Sequence, residues 1–167
     1  MIKVRIFRVA SICMLLFWMG VIFFLSSQNA TESDATSGRV ITILLSRFYP
    51  SYETLSESAK AELISSFQFF ARKTAHFLIY AVLGFFSFLT VVSYRTLRFG
   101  QRIVTAGVIC IFYSLTDEWH QTVVSGRSGE WRDILIDSSG AVAALLVLWL
   151  LCFLIKPIYR RVKYRGT

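Results

Sequence analysis

Four long apolar runs leave this chain few ways to fold. They cover about residues 6–25, 77–94, 103–119 and 134–155. A membrane-crossing helix needs about 20 mostly apolar residues, within a range of about 17 to 25. The first, second and fourth runs meet that length. The third stays apolar only to Leu115, ahead of Asp117, so it carries its polar end to the membrane interface or slightly inside it. The expected fold class is therefore all-α: a polytopic membrane protein with four transmembrane helices in one domain over residues 1–167. Composition agrees. Hydrophobic residues make up 55% of the chain and charged residues 17%, against about 25% in soluble domains. Such a chain is too apolar to be disordered.

Lys3, Arg5 and Arg8 precede the first run, as they would in a signal peptide. The run is longer than a usual signal core, and no small-x-small cleavage site follows at residues 26–30, so an uncleaved span is expected. Cys13, Cys110 and Cys152 all fall inside spans and read as small apolar packing residues. Neither a disulfide framework nor a structural zinc site is expected.

The net charge is +8, and its placement carries the topology. Lys3, Arg5 and Arg8 precede span one. Arg95, Arg98 and Arg102 join spans two and three. Lys156, Arg160, Arg161, Lys163 and Arg165 follow span four. These eleven positive charges have no acid among them, and all ten acids fall toward the other side with the remaining seven positives. Basic residues mark the cytoplasmic side. Both termini are therefore expected in the cytoplasm, and the acids on the extracytoplasmic side. The positives sit beside spans and form no separate basic domain, so membrane lipid is the expected partner and nucleic acid is not.

The stretch from Ser26 to Arg72 is expected to hold amphipathic extracytoplasmic helices. Ile41, Leu44, Leu45 and Phe48 repeat on one helical face, and Pro50 breaks the chain after them. Ser56 suits the cap of a second helix with Glu57 in its first turn, and Leu63, Ile64, Phe67, Phe70 and Ala71 give that helix an apolar stripe. The pair would lie on the bilayer or cover the bundle.

Polar residues inside the last three spans follow helical spacing. Span two carries Lys73, His76, Tyr80, Gly84 and Ser87. Span three carries Gly107, Cys110, Ser114, Asp117 and Gln121, with His120 adjoining. Span four carries Asp133, Asp137, Gly140, Ala144 and Leu148. Steps of three and four keep each set on one face. Each face is polar at one end and small further in, which suits close helix approach. Ionisable groups at membrane depth face a bundle interior or a wet cavity, because lipid exposure costs several kcal/mol. The three faces are expected to converge on an outward-facing pocket. Its expected binding residues are Lys73, His76, Tyr80, Asp117, Glu118, Gln121, Arg127, Asp133 and Asp137.

The chemistry of that pocket has two readings. Asp133 and Asp137, four residues apart, point the same way, and a close carboxylate pair suits acid/base work. Lys73 or Arg127 could equally neutralise them in a structural network. Asp133, Asp137, His76 and His120 are the catalytic candidates. Asp117, Glu118, His120 and His76 are ligand types, but no HExxH or comparable spacing occurs, so no metal or other cofactor is expected. Arg127, in the loop Ser125-Gly126-Arg127-Ser128-Gly129, could grip phosphate or carboxylate through two N–H groups, or pair with an acid. Trp119 and Trp131 read as interfacial anchors. No GxSxG or SxxK motif surrounds Ser26 or Ser27.

In order, Ser26-Ser27-Gln28, Arg72-Lys73-x-Ala75-His76-x3-Tyr80, Asp117-Glu118-x-His120-Gln121, Gly126-Arg127 and Asp133-x3-Asp137-x2-Gly140 resemble the VanZ-like family of bacterial membrane proteins. The likeness runs through nearly the whole chain. It departs at Asp137, where the family often has Asn, and at Ser125, where it often has Pro. The resemblance implies a multi-pass protein of the cell envelope, in a family whose namesake is associated with resistance to the lipoglycopeptide teicoplanin. The expectation is a protein that binds or modifies a surface lipid, a lipid-linked wall precursor or a lipoglycopeptide. The alternative is a membrane-embedded hydrolase or transferase acting on an extracytoplasmic lipid-linked substrate.

Overall fold

A computed structural model describes residues 2–94, 96–127 and 129–165, with side chains as far as residue 155. Arg95, Ser128 and the basic side chains at 156, 160, 161, 163 and 165 lie outside the described residues. The described chain is all-helical: α1 (Ile2–Ser26), α2 (Ala30–Phe48), a short 3-10 turn (Tyr52–Thr54), α3 (Glu57–Val92), α4 (Phe99–Gln121) and α5 (Trp131–Arg165). Four of these segments are long and apolar enough to cross a membrane: α1, α3, α4 and residues 131–155 of α5.

Local chemistry sets the ends. Asn29 accepts a hydrogen bond from the Glu32 N–H while the Glu32 carboxylate accepts from the Asn29 N–H, which closes a capping box at the start of α2. Ser56 caps α3 by accepting from the Ala59 N–H. The second expected amphipathic helix is not a separate element. It runs on into span two as one helix of 36 residues. Nothing between Ala71 and Phe77 breaks a helix, so the change from polar to apolar sequence changes the helix's surroundings and not its backbone.

α3 is the centre of the bundle and packs on all four other helices. α2 runs back along the first half of α3, where Ile41 is buried but Leu44 and Phe48 are exposed. The expected α2 face is thus only partly covered. We call this the hairpin end. Two apolar clusters fill the bundle: Leu15, Ile22, Tyr80, Leu83, Cys110 and Ala141, and further from the hairpin Phe88, Val91, Ala106 and Leu145. Buried polar atoms tie neighbours together. The Trp18 indole donates to the Ile79 carbonyl at 2.9 Å, and the Thr90 hydroxyl to the Ser11 carbonyl at 3.0 Å. Large apolar side chains such as Phe17, Phe24, Phe112 and Phe153 point outward. In water their exposure would be unfavourable, and in hydrocarbon it is what a spanning helix needs.

Candidate functional site

The α3, α4 and α5 stripes meet. At depth they close through small residues. A Cβ on Gly140 would collide with the Phe77 carbonyl, and one on Gly84 would come within 2.8 Å of the Ala141 carbonyl oxygen. Ser87, Cys110 and Ser114 are buried in the same seam, where the Cys110 thiol donates to the Ser87 hydroxyl at 3.4 Å.

Toward the hairpin end the same faces become ionisable. Asp117 and Asp137 are buried. Oδ2 of Asp117 accepts from Ser26 at 2.9 Å, Tyr80 at 3.2 Å and Gln121 at 3.4 Å, while its Oδ1 has no hydrogen-bond partner in the protein. Asp137 Oδ1 lies 3.1 Å from His76 Nδ1, and its Oδ2 is likewise unpartnered. Lys73 pairs with Asp133 and stands 3.9 Å from Glu130. The like-charge carboxylate pair read from the 133/137 spacing is therefore divided: Asp133 belongs to Lys73 and Asp137 to His76.

Two further residues brace the loop between α4 and α5. Glu118 accepts from the Glu130 N–H at 2.8 Å, just ahead of α5. Gly126 has φ +73°, a left-handed conformation that favours glycine, and packs its α-carbon face on Ala30. This turn carries Arg127, whose Nη1 donates to Gln121 Oε1 at 3.1 Å. Burial, and then the nearby Arg72 charge, pull the Arg127 guanidinium below its usual pKa.

His120 is not brought to this group. It stacks on Phe23 at 4.5 Å between ring centres, and its Nε2 lies 3.1 Å from the Ser27 hydroxyl. It faces a further, mainly apolar cavity of about 330 Å³ between α1 and α4, which touches this group at Asp117. Arg72 and Asp34, by contrast, were not among the residues expected to bind. They pair at 2.5 Å across the hairpin, and the Gln68 amide donates to the Asp34 carbonyl beside them. The signal for Arg72 was its place in the Arg72-Lys73-x-Ala75-His76 run that carries the family resemblance. Asp34 carried none, because its partner is 38 residues away.

Two cavities meet at this site. One, of about 240 Å³, is mainly apolar and lies among α1, α2 and α3; Ile22, Leu25, Val40 and Ile79 contribute to its wall. The other, of about 390 Å³, is mainly polar and includes Asp34, Lys73, Gln121, Glu130 and Asp133. Arg72, His76 and Arg127 line both. Among the described residues, no three His, Cys, Asp or Glu side chains are grouped as a metal ion would require. Neither a curated protein nor a solved structure matches the chain. A family model does: VanZ/LLP1, over residues 11–153. That match takes in most of each apolar span and the residues named around both cavities, and the chain belongs to the VanZ/LLP1 family.

Proposed function

We propose that this membrane protein binds an amphiphile at the extracytoplasmic surface, with the polar part in the Arg72–His76–Arg127 junction and the apolar part among α1, α2 and α3. The single observation behind this reading is the shared wall. A mainly apolar cavity and a mainly polar one open onto the same three side chains. Binding sites are concave and mostly apolar, with a few convergent polar groups. A surface lipid, a lipid-linked wall precursor and a lipoglycopeptide all join an apolar chain to a polar head. Binding or altering one of them is how such a protein would contribute to teicoplanin-type resistance.

The outward orientation rests on the distribution of charge, with acid-free basic groups on the cytoplasmic side. A reporter fused after Thr167 is expected to be active only in the cytoplasm, and an extracytoplasmic signal would reverse the assignment. The binding reading is tested with a photoactivatable lipid and the purified protein. Labelling is expected on α1, α2 and α3 around Ile22, Val40 and Ile79. Labels spread evenly over the outward-pointing side chains would reject it.

One observation favours a catalytic second reading. Asp137, fully buried, holds His76, and His76 faces both cavities. A carboxylate that orients an imidazole is a common acid/base arrangement. Asp133, tied to Lys73, would then position the pair's surroundings. Mass spectrometry of lipids and wall precursors from cells with and without the protein distinguishes the readings, because only catalysis creates a new species.

A further inference from the structure

The amphiphile reading leaves the head group's chemistry open, and the pairing of charges at the junction narrows it. Four cationic or basic side chains face it. Lys73 is neutralised by Asp133, with Glu130 at 3.9 Å. His76 is engaged by Asp137. Arg72 gives one Nη to Asp34, and its buried Nε has no partner. Arg127 is the exception. Among the described residues it has no carboxylate within 4.0 Å, and its one side-chain partner is the neutral Gln121 oxygen. Gln121 also donates to Asp117, which has no ion-pair partner among the described residues, so an amide links that carboxylate to Arg127.

Arg72 and Arg127 therefore present two half-buried positive charges to one junction, with N–H donors left over on both. The half-buried Arg127 charge, which has no counter-ion, is unfavourable, and the like charge of Arg72 beside it, offset only by a half-exposed Asp34, makes it more so. A planar guanidinium offers paired donors that match the oxygens of a phosphate. The mainly apolar cavity begins at the same two side chains.

We propose that Arg72 and Arg127 form a recognition site for a phosphate-type head group whose hydrocarbon chain lies in the cavity among α1, α2 and α3. This rests on the amphiphile reading and adds the charge and class of the head. Arg127 supplies the unmatched charge. Arg72, steadied by Asp34, fixes the second point of contact from α3.

The test uses the full chain in nanodiscs, with retained lipid measured by native mass spectrometry. The probes share one pair of acyl chains: phosphatidic acid, phosphatidylcholine and diacylglycerol. Wild type should retain phosphatidic acid about tenfold over diacylglycerol, the factor expected of one charge-assisted hydrogen bond. Arg127→Ala should remove that preference, and Arg127→Lys should recover part of it. Arg47→Ala, in the last turn of α2 and at the other end of that helix from Asp34, removes the same charge and should change nothing. A melting curve for each variant shows whether it is folded, and the wild-type preference needs no variant at all. Equal retention of phosphatidic acid and diacylglycerol by wild type overturns the phosphate assignment and leaves the amphiphile reading standing. Retention of none of the three overturns the amphiphile reading as well. Displacement of phosphatidic acid by millimolar inorganic phosphate, with no dependence on chain length, would assign the site to free phosphate and overturn the role of the apolar cavity. An equal loss with Arg47→Ala would show diffuse surface charge and overturn the pairing.

Discussion

The deep part of the α3–α5 contact and its hairpin end use the same helix faces for opposite purposes. At depth, Gly84 and Gly140 let backbone meet backbone, and Leu83 and Cys110 are fully buried. Within about one to three turns, Lys73, His76, Asp133 and Asp137 occupy the same stripes, and cavities open beside the first three. Small side chains draw helices together without a hydrophobic gain from lipid. Ionised ones hold them apart, because each must keep its partner and some space around it. Tyr80 stands at the boundary, its ring in the apolar cluster and its hydroxyl on Asp117. The contrast is between a seam whose changes should unfold the protein and a hairpin end where, outside the buried His76–Asp137 pair, changes should leave it folded and inactive.

The largest effect should come from the deep seam. Gly140→Leu drives a side chain into the Phe77 carbonyl and should cost more than about 3 kcal/mol, enough to remove folded protein from the membrane fraction. Gly20→Leu, where nothing lies within 4 Å, is the matched control and should melt like wild type. A normal melting temperature for Gly140→Leu would erase the distinction between the regions.

Next is the buried pair. His76→Ala leaves Asp137 without its partner and should cost about 3 kcal/mol. The double change His76→Ala with Asp137→Leu should recover much of that loss. Thermal unfolding of both in detergent checks the sign, and no recovery would mean that Asp137 is held by something other than His76.

Arg127→Ala and Asp133→Asn sharpen the comparison from the other side. Arg127→Ala loses one hydrogen bond, about 1 kcal/mol. Both variants should reach normal membrane levels and yet, if the proposed role in resistance holds for the wild type, fail to support it in a susceptible host. Wild-type resistance in both would show that the hairpin end is structural. The smallest effect should be that of His120→Ala. Its stack and its contact to Ser27 are together worth about 1 kcal/mol, and its ring is outside the two joined cavities, so lipid retention should not change.

The sequence made the stripes legible because period and burial obey one geometry. Residues 80, 84 and 87, 110, 114, 117 and 121, and 133, 137 and 140 are all buried. It misled at His120 because neighbours in sequence stand about 100° apart on a helix. Adjoining Gln121 therefore did not place His120 in the site. The end of the second amphipathic helix was misread for a different reason. Hydropathy reports a helix's surroundings, and those change at Arg72 while the backbone runs on. The Arg72–Asp34 pair was beyond reach, since no local pattern specifies which distant carboxylate a guanidinium meets.

The unbroken α3 has a mechanical consequence. At 1.5 Å per residue its 36 residues make a rod of about 54 Å. A rod has one tilt. Whatever settles against the α2 hairpin and shifts its angle must turn the far half of α3 by the same amount, and the glycine contacts there leave no slack to absorb it. The hairpin is thus the long arm of a lever whose fulcrum is the packed seam.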